Sequence, residues 1–177
     1  MKLAALRLRQ RDGVTCGPTV AVVAGALLDP GHGDDLADPA WFDGEQARVH
    51  AEVNRVWPRR LGTTPIGMAR ALTAHSFSSG VRYRWRLFRG RRDGLSDVQR
   101  AVVAGRPVAM LIGRFIPRHW VLIVEADGLR WQCYEPSSGE VRSLAVDGVR
   151  RSRIGGLGYP RPFAFVLPKA STRSATS

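Results

Sequence analysis

Cys16-Gly17-Pro18-Thr19-Val20-Ala21-Val22-Val23-Ala24-Gly25-Ala26-Leu27-Leu28 decides how this chain is read. The apolar run from Val20 to Leu28 is longer than an ordinary strand and reads as a buried helix. Pro18 suits its first turn, because a proline there loses no helical hydrogen bond. Asp29-Pro30-Gly31 ends it. The helix therefore begins at Cys16 to Thr19 and carries a thiol at its N-terminus. Unpaired N–H groups at such an end are worth about half a positive charge, which favours thiolate over thiol.

Outward from this helix, residues 32–41 are rich in Gly, Asp and Pro and read as a loop. Glu45 to Val56 has the spacing of a surface helix, closed by Pro58. Gly62-Thr63-Thr64-Pro65 opens another through Leu72, with Thr64 as cap and Pro65 at the first helical position. From Val81 the pattern changes. Val81 to Phe88 alternates as a strand, with Tyr83 and Trp85 turned to the core and arginines on the other face. After a turn over 89–94, Ser96 caps a helix ending at Gly105. Strands follow at Val108 to Ile112, Trp120 to Ala126 and Leu129 to Tyr134, the last two joined through Asp127-Gly128. Val141 to Leu144 and Phe163 to Leu167 are further strands, and 170–177 is small, polar and frays. Helices in front and antiparallel strands behind make an α+β fold.

The 177 residues suffice for one domain with a sizeable core. No apolar run approaches about eighteen residues, so no membrane span is expected. The N-terminus, broken by Arg7 and Arg9, does not read as a secretory signal, which points to a cytoplasmic protein. Cys16 and Cys133 are then free thiols. His32, His50, His75 and His119 are scattered without zinc-ligand spacing, so no metal and no cofactor are expected. The net charge of +12 raises the question of nucleic acid. Nearly all of it is arginine spread along the chain, densest at Arg82 to Arg86, Arg89 to Arg92 and Arg150 to Arg153. That spread favours solvated arginines or an acidic partner over a nucleic-acid surface.

Three residues could complete the chemistry of Cys16. Gln10, six residues upstream on the approach to the helix, could direct its amide N–H at an oxyanion, beside the Cys16 N–H. His119, at the start of its strand after Pro117-Arg118, could take the thiol proton. Antiparallel pairing across Asp127-Gly128 brings Glu135 near His119, where a carboxylate could fix the imidazole tautomer. Alone, each has a plainer reading: a small buried cysteine, a solvated glutamine, a surface histidine, a charge in a turn.

Together, Gln10 with Cys16-Gly17-Pro18, the His119-Trp120-Val121 strand and the Glu135-Pro136 turn resemble papain-like cysteine peptidases. The branch is that of the bacteriocin-processing, double-glycine leader peptidases and their stand-alone bacterial relatives. The resemblance spans roughly residues 8–168, including the Gly62-Thr63-Thr64-Pro65 helix start. It implies one domain over 1–170, with a helical lobe at about 10–78, a β lobe at about 79–168 and a flexible tail at 171–177. It also implies that Cys16 is the nucleophile, His119 the base and acid, and Gln10 the oxyanion donor. The third member in such families is usually Asp or Asn, and here Glu135 stands there.

The expected activity is cleavage of a peptide or amide bond through a Cys16 thioester, on a peptide or protein substrate. There is no phosphate-binding GxxxxGK[ST] motif, so any transporter or biosynthetic partner would be a separate chain. Two alternatives stand beside this: an acyltransferase of transglutaminase-like type, in which an amine resolves the thioester, and a catalytically impaired peptide-binding module.

Overall fold

The computed structural model describes residues 8–10, 15–29, 35–53 and 63–169. Helix α1 spans Cys16–Leu28, α2 Pro39–Val53 and α3 Pro65–His75. After β1 (Tyr83–Leu87) comes α4 (Ser96–Val103), then β2 (Val108–Gly113), β3 (Pro117–Ala126), β4 (Arg130–Glu135) and β5 (Glu140–Ala145). The five-residue α5 (Val146–Arg150) and β6 (Arg161–Pro168) complete the order. All six strands form one antiparallel sheet in the order β1-β6-β2-β3-β4-β5. Helices and an antiparallel sheet make this an α+β fold.

The strand runs lack polar alternation because both faces of the sheet are covered. In β2, Ala109 and Leu111 face the cluster beneath α1 and α3, while Val108, Met110 and Ile112 face the cluster beneath α4. In β3, Trp120 and Leu122 join the first cluster, and Val121 and Ile123 the second. Every second residue goes to each side, so a strand buried on both faces reads as continuously apolar. Helix α1, buried from Cys16 to Ala26, sits between α2, α3 and β3. Cys133 lies in the second cluster and Cys16 in the first, so the two free thiols are held on opposite faces.

Local chemistry sets several boundaries. Thr64 Oγ1 accepts from the Gly67 N–H at 3.0 Å, with Pro65 following, which starts α3 as the sequence predicts. Helix α2 starts earlier than expected. Asp38 Oδ1 accepts from the Ala40 N–H at 2.9 Å and Pro39 takes the first position, so part of the expected loop is helical. Residues 54–58 of the expected helix and its stop lie outside the described residues, as do 11–14, 30–34 and 170–177.

Ser96 does not cap α4. Leu95 stands at the cap with φ 54°, and its own N–H donates to Asp93 Oδ1 at 3.1 Å. Gly105, at φ 71°, ends that helix as expected. Strand β1 also departs in part from its reading. Tyr83 is buried, but Trp85 is 42 % exposed, because β1 is the sheet's outermost strand. Nor is Arg86 a solvated arginine. It pairs with Asp93 at 2.6 Å and Asp97 at 2.6 Å, and lies 5.0 Å over the Phe165 ring.

Candidate active site

The N-terminus of α1 sits against one end of the sheet, where β3 begins and β4 ends. Cys16 is the first helical residue, and no side chain caps the helix through Thr15. No acidic residue occupies the first turn. The positive end of the helix therefore acts on the Cys16 sulfur without a competing carboxylate. Pro18 has no N–H, so the outward-facing donors of this turn are those of Cys16 and Gly17.

His119 lies within β3, two residues past its start at Pro117, opposite Ile112 of β2. Its ring lies beside Cys16 on one side and bonds Glu135 on the other. Nε2 meets Glu135 Oε1 at 2.7 Å, which leaves Nδ1 for the thiol. Burial alone would lower the imidazole, but contact with Cys16 and Glu135 outweighs it and raises His119 to about 9. The Tyr159 ring flanks it, with centroids 5.8 Å apart.

Glu135 reaches His119 along a diagonal. The Leu122↔Tyr134 register, continued by one pair, sets Glu135 across from Val121, two residues from His119 on the same face. The longer glutamate side chain spans that offset. Its carboxylate is then fixed by its own turn, accepting from the Ser137 N–H at 2.8 Å and the Ser138 N–H at 2.8 Å. The Gly139 N–H closes the turn on Glu135 O at 2.8 Å. Burial would raise this carboxyl. The bond to His119 and the two serines holds it well below the usual carboxylate range.

Gln10 is brought to the same turn. Its N–H donates to Pro136 O at 2.7 Å, and its Oε1 accepts from Ser137 Oγ at 3.4 Å. Two neighbours hold this segment in place: Tyr134 Oη donates to Leu8 O at 2.8 Å, and Arg9 Nε to Ser138 O at 3.1 Å. The four residues singled out in the sequence thus fall into one region. Cys16, His119 and Glu135 form a continuous chain, and Gln10 is seated on the turn that fixes Glu135.

The sequence reading missed a clamp that sets the spacing between Cys16 and His119. A Cβ on Gly17 would come within 2.2 Å of Thr63 Oγ1 and 2.5 Å of Thr63 Cβ. Only glycine lets Thr63 pack so closely on the first turn of α1. The same Thr63 accepts, through its carbonyl, from Trp120 Nε1 at 2.8 Å. Trp120 is 2 % exposed and adjoins His119 in β3. Gly17, Thr63 and Trp120 therefore tie the residue after the thiol to the residue after the imidazole. A glycine directly after the cysteine was the available signal. Among the described residues, no group of three His, Cys, Asp or Glu comes together to hold a metal. None of their helices is long and apolar enough to cross a membrane.

No protein-family model matches the chain. No characterised protein matches it in sequence. Among solved structures it is similar to the peptidase domain of Streptococcus ComA, a bifunctional ABC transporter involved in a quorum-sensing pathway. That match has 16% identity and a TM-score of 0.48, covering 92% of this chain and 97% of that one. It is also similar to a double glycine motif protease from an AMS/PCAT transporter, solved in complex with the leader peptide. There the identity is 11% and the TM-score 0.45, over 92% of this chain and 90% of that one. Likeness at this level carries no chemistry from those proteins to this one.

Proposed function

We propose that this chain is a cysteine peptidase with Cys16 as nucleophile, His119 as base and acid, Glu135 as the group that orients His119, and Gln10 as an oxyanion donor. The observation that carries this reading is the position of His119, beside the Cys16 thiol on one side and at 2.7 Å from a fixed carboxylate on the other. A histidine so held favours a thiolate–imidazolium pair. The thiolate attacks the scissile carbonyl, and the negative charge moves to the carbonyl oxygen. The Cys16 N–H and the Gln10 amide donate to that oxygen. His119 gives its proton to the leaving amine as the tetrahedral adduct collapses to a thioester. Water then attacks the thioester, His119 accepts the water proton, and the carboxylic acid leaves as the thiolate is restored. The reaction takes a peptide or protein as substrate and calls on no cofactor.

Two features argue against an impaired site. Glu135 spans its diagonal with a full hydrogen bond, and its carboxylate is held by two backbone donors. The test is the rate of Cys16 alkylation by iodoacetamide against pH, with His119→Ala for comparison. Fast labelling well below the ordinary thiol range of about 8.5, lost in His119→Ala, is the expected result. Labelling that rises only near that range in both proteins would overturn the assignment.

A further inference from the structure

Five cations converge, without acidic partners, at the end of the sheet away from Cys16. Arg82 and Arg84 come from the start of β1, Arg100 from α4, Arg106 from the turn after it, and Lys169 from the end of β6. They line a cleft of about 470 Å3, within the size range of ligand clefts. Asp97 is the one carboxylate among the described residues of its wall, and it is committed to Arg86 at 2.6 Å. None of the five makes an ion pair with a described residue. Arg48, Arg142 and Arg151 pair with Glu45, Glu140 and Asp147, while Arg91 and Arg92 outside the cleft are also without an ion pair, so what marks the five is their convergence in one concavity.

Like charges gathered in a concavity repel one another and focus a positive potential into it, which an anionic ligand relieves. The floor between the cations is carbon: Val81, Ala101 and Leu167. Among the described residues no aromatic ring lines the cleft itself, and Phe77, Tyr83 and Trp85 line the neighbouring groove that shares Arg84 and Lys169. Arginine forks match carboxylates in pairs, and an aliphatic floor matches the methylenes that carry them.

We propose that this cleft binds an acidic polypeptide segment, at a site separate from Cys16 and standing whether or not Cys16 is a nucleophile. The probe is fluorescein-labelled hexaglutamate, titrated with the full chain in low salt and followed by anisotropy, with hexaglutamine as the uncharged control. Arg82→Glu/Arg100→Glu reverses two exposed cations of the cleft. Arg91→Glu/Arg92→Glu makes the same change in net charge outside it. Arg82→Gln/Arg100→Gln is the milder form, and thermal melts check that every variant is folded.

The expected result is hexaglutamate binding that weakens about tenfold or more in the cleft reversal and no more than about twofold in the outside one. Binding also falls as salt rises, and hexaglutamine does not bind. Equal losses in the two reversals would reduce the effect to net charge and overturn the proposal. So would an absence of binding at low salt. Tighter binding of a hexathymidylate, lost in the cleft variants, would overturn it in favour of nucleic acid.

Discussion

Replacing Glu135 by glutamine keeps the size of the side chain and removes its charge. The carboxylate accepts three hydrogen bonds, from His119 Nε2 and the N–H groups of Ser137 and Ser138. An amide has one oxygen, so its NH2 end must face a donor, and a buried N–H loses its acceptor at about 1–3 kcal/mol. The charge has a further effect through His119. Raising an imidazole from 6.5 to about 9 corresponds to roughly 3 kcal/mol of preference for the imidazolium. Cys16 and Glu135 both contribute to that preference, so the share lost with the Glu135 charge is on the order of 1–2 kcal/mol.

Because His119 is raised, this contribution is fully present below 6.5 and is lost as pH rises through about 9. Glu135 is lowered, so its share is present above 4.5 and lost only as pH falls toward its folded value. Glu135→Gln is therefore most costly between about pH 5 and 6.5, at roughly 2–5 kcal/mol in total. At pH 10 only the unpaired N–H remains. For a chain of this size that is a Tm loss of about 10 °C near pH 6 and about 5 °C at pH 10. Thermal melts of both proteins at the two pH values provide the assay, with Cys16 alkylation profiles alongside. Equal Tm losses at the two pH values, with an unchanged alkylation profile, would refute the coupling of Glu135 to His119.

Iodoacetamide should modify only Cys16 in the native protein, because burial pushes the Cys133 thiol far up and leaves it no exposed surface; peptide mapping by mass spectrometry checks this. Gly17→Ala should cost about 2 kcal/mol or more, since the new methyl meets Thr63 Cβ rather than a flexible tip, and peptide hydrolysis should fall more steeply than stability does. Arg86→Ala should destabilise by about 3 kcal/mol at neutral pH by stranding Asp93 and Asp97. Both carboxyls lie below their ordinary range, so that loss should shrink as pH falls through their folded values, as denaturant titrations at pH 7 and pH 3 would show.

What the sequence made legible was local. The α1 run, the Thr64-Pro65 start of α3 and the Asp127-Gly128 hairpin each carry their signal within a few residues. Asp38-Pro39 carried one as well, a cap followed by a first-turn proline, hidden among the loop-forming residues around it. Ser96 looked like a cap because the left-handed Leu95 cannot be seen from residue type. The candidate site residues stood out because the chain has two cysteines and four histidines, and because the Asp127-Gly128 hairpin carries Glu135 toward His119. Their support was not. Thr63 and Trp120 are 57 positions apart and Leu8 and Tyr134 are 126 apart, and no pattern in either segment announces such a partner. The sheet order was hidden for the same reason, since β6 lies between β1 and β2 and shares no turn with either.

That position of β6 bears on when the thiol can react. His119 and Glu135 follow Cys16 by more than a hundred residues, and the strand between β1 and β2 comes after all the others in sequence. Until residues 161–168 insert, β1 has no partner strand, and Ala164, Phe165, Val166 and Leu167 are missing from both cores. On the proposed assignment, the seat of Cys16, His119 and Glu135 is therefore completed only when residues 161–168 join β1 to β2.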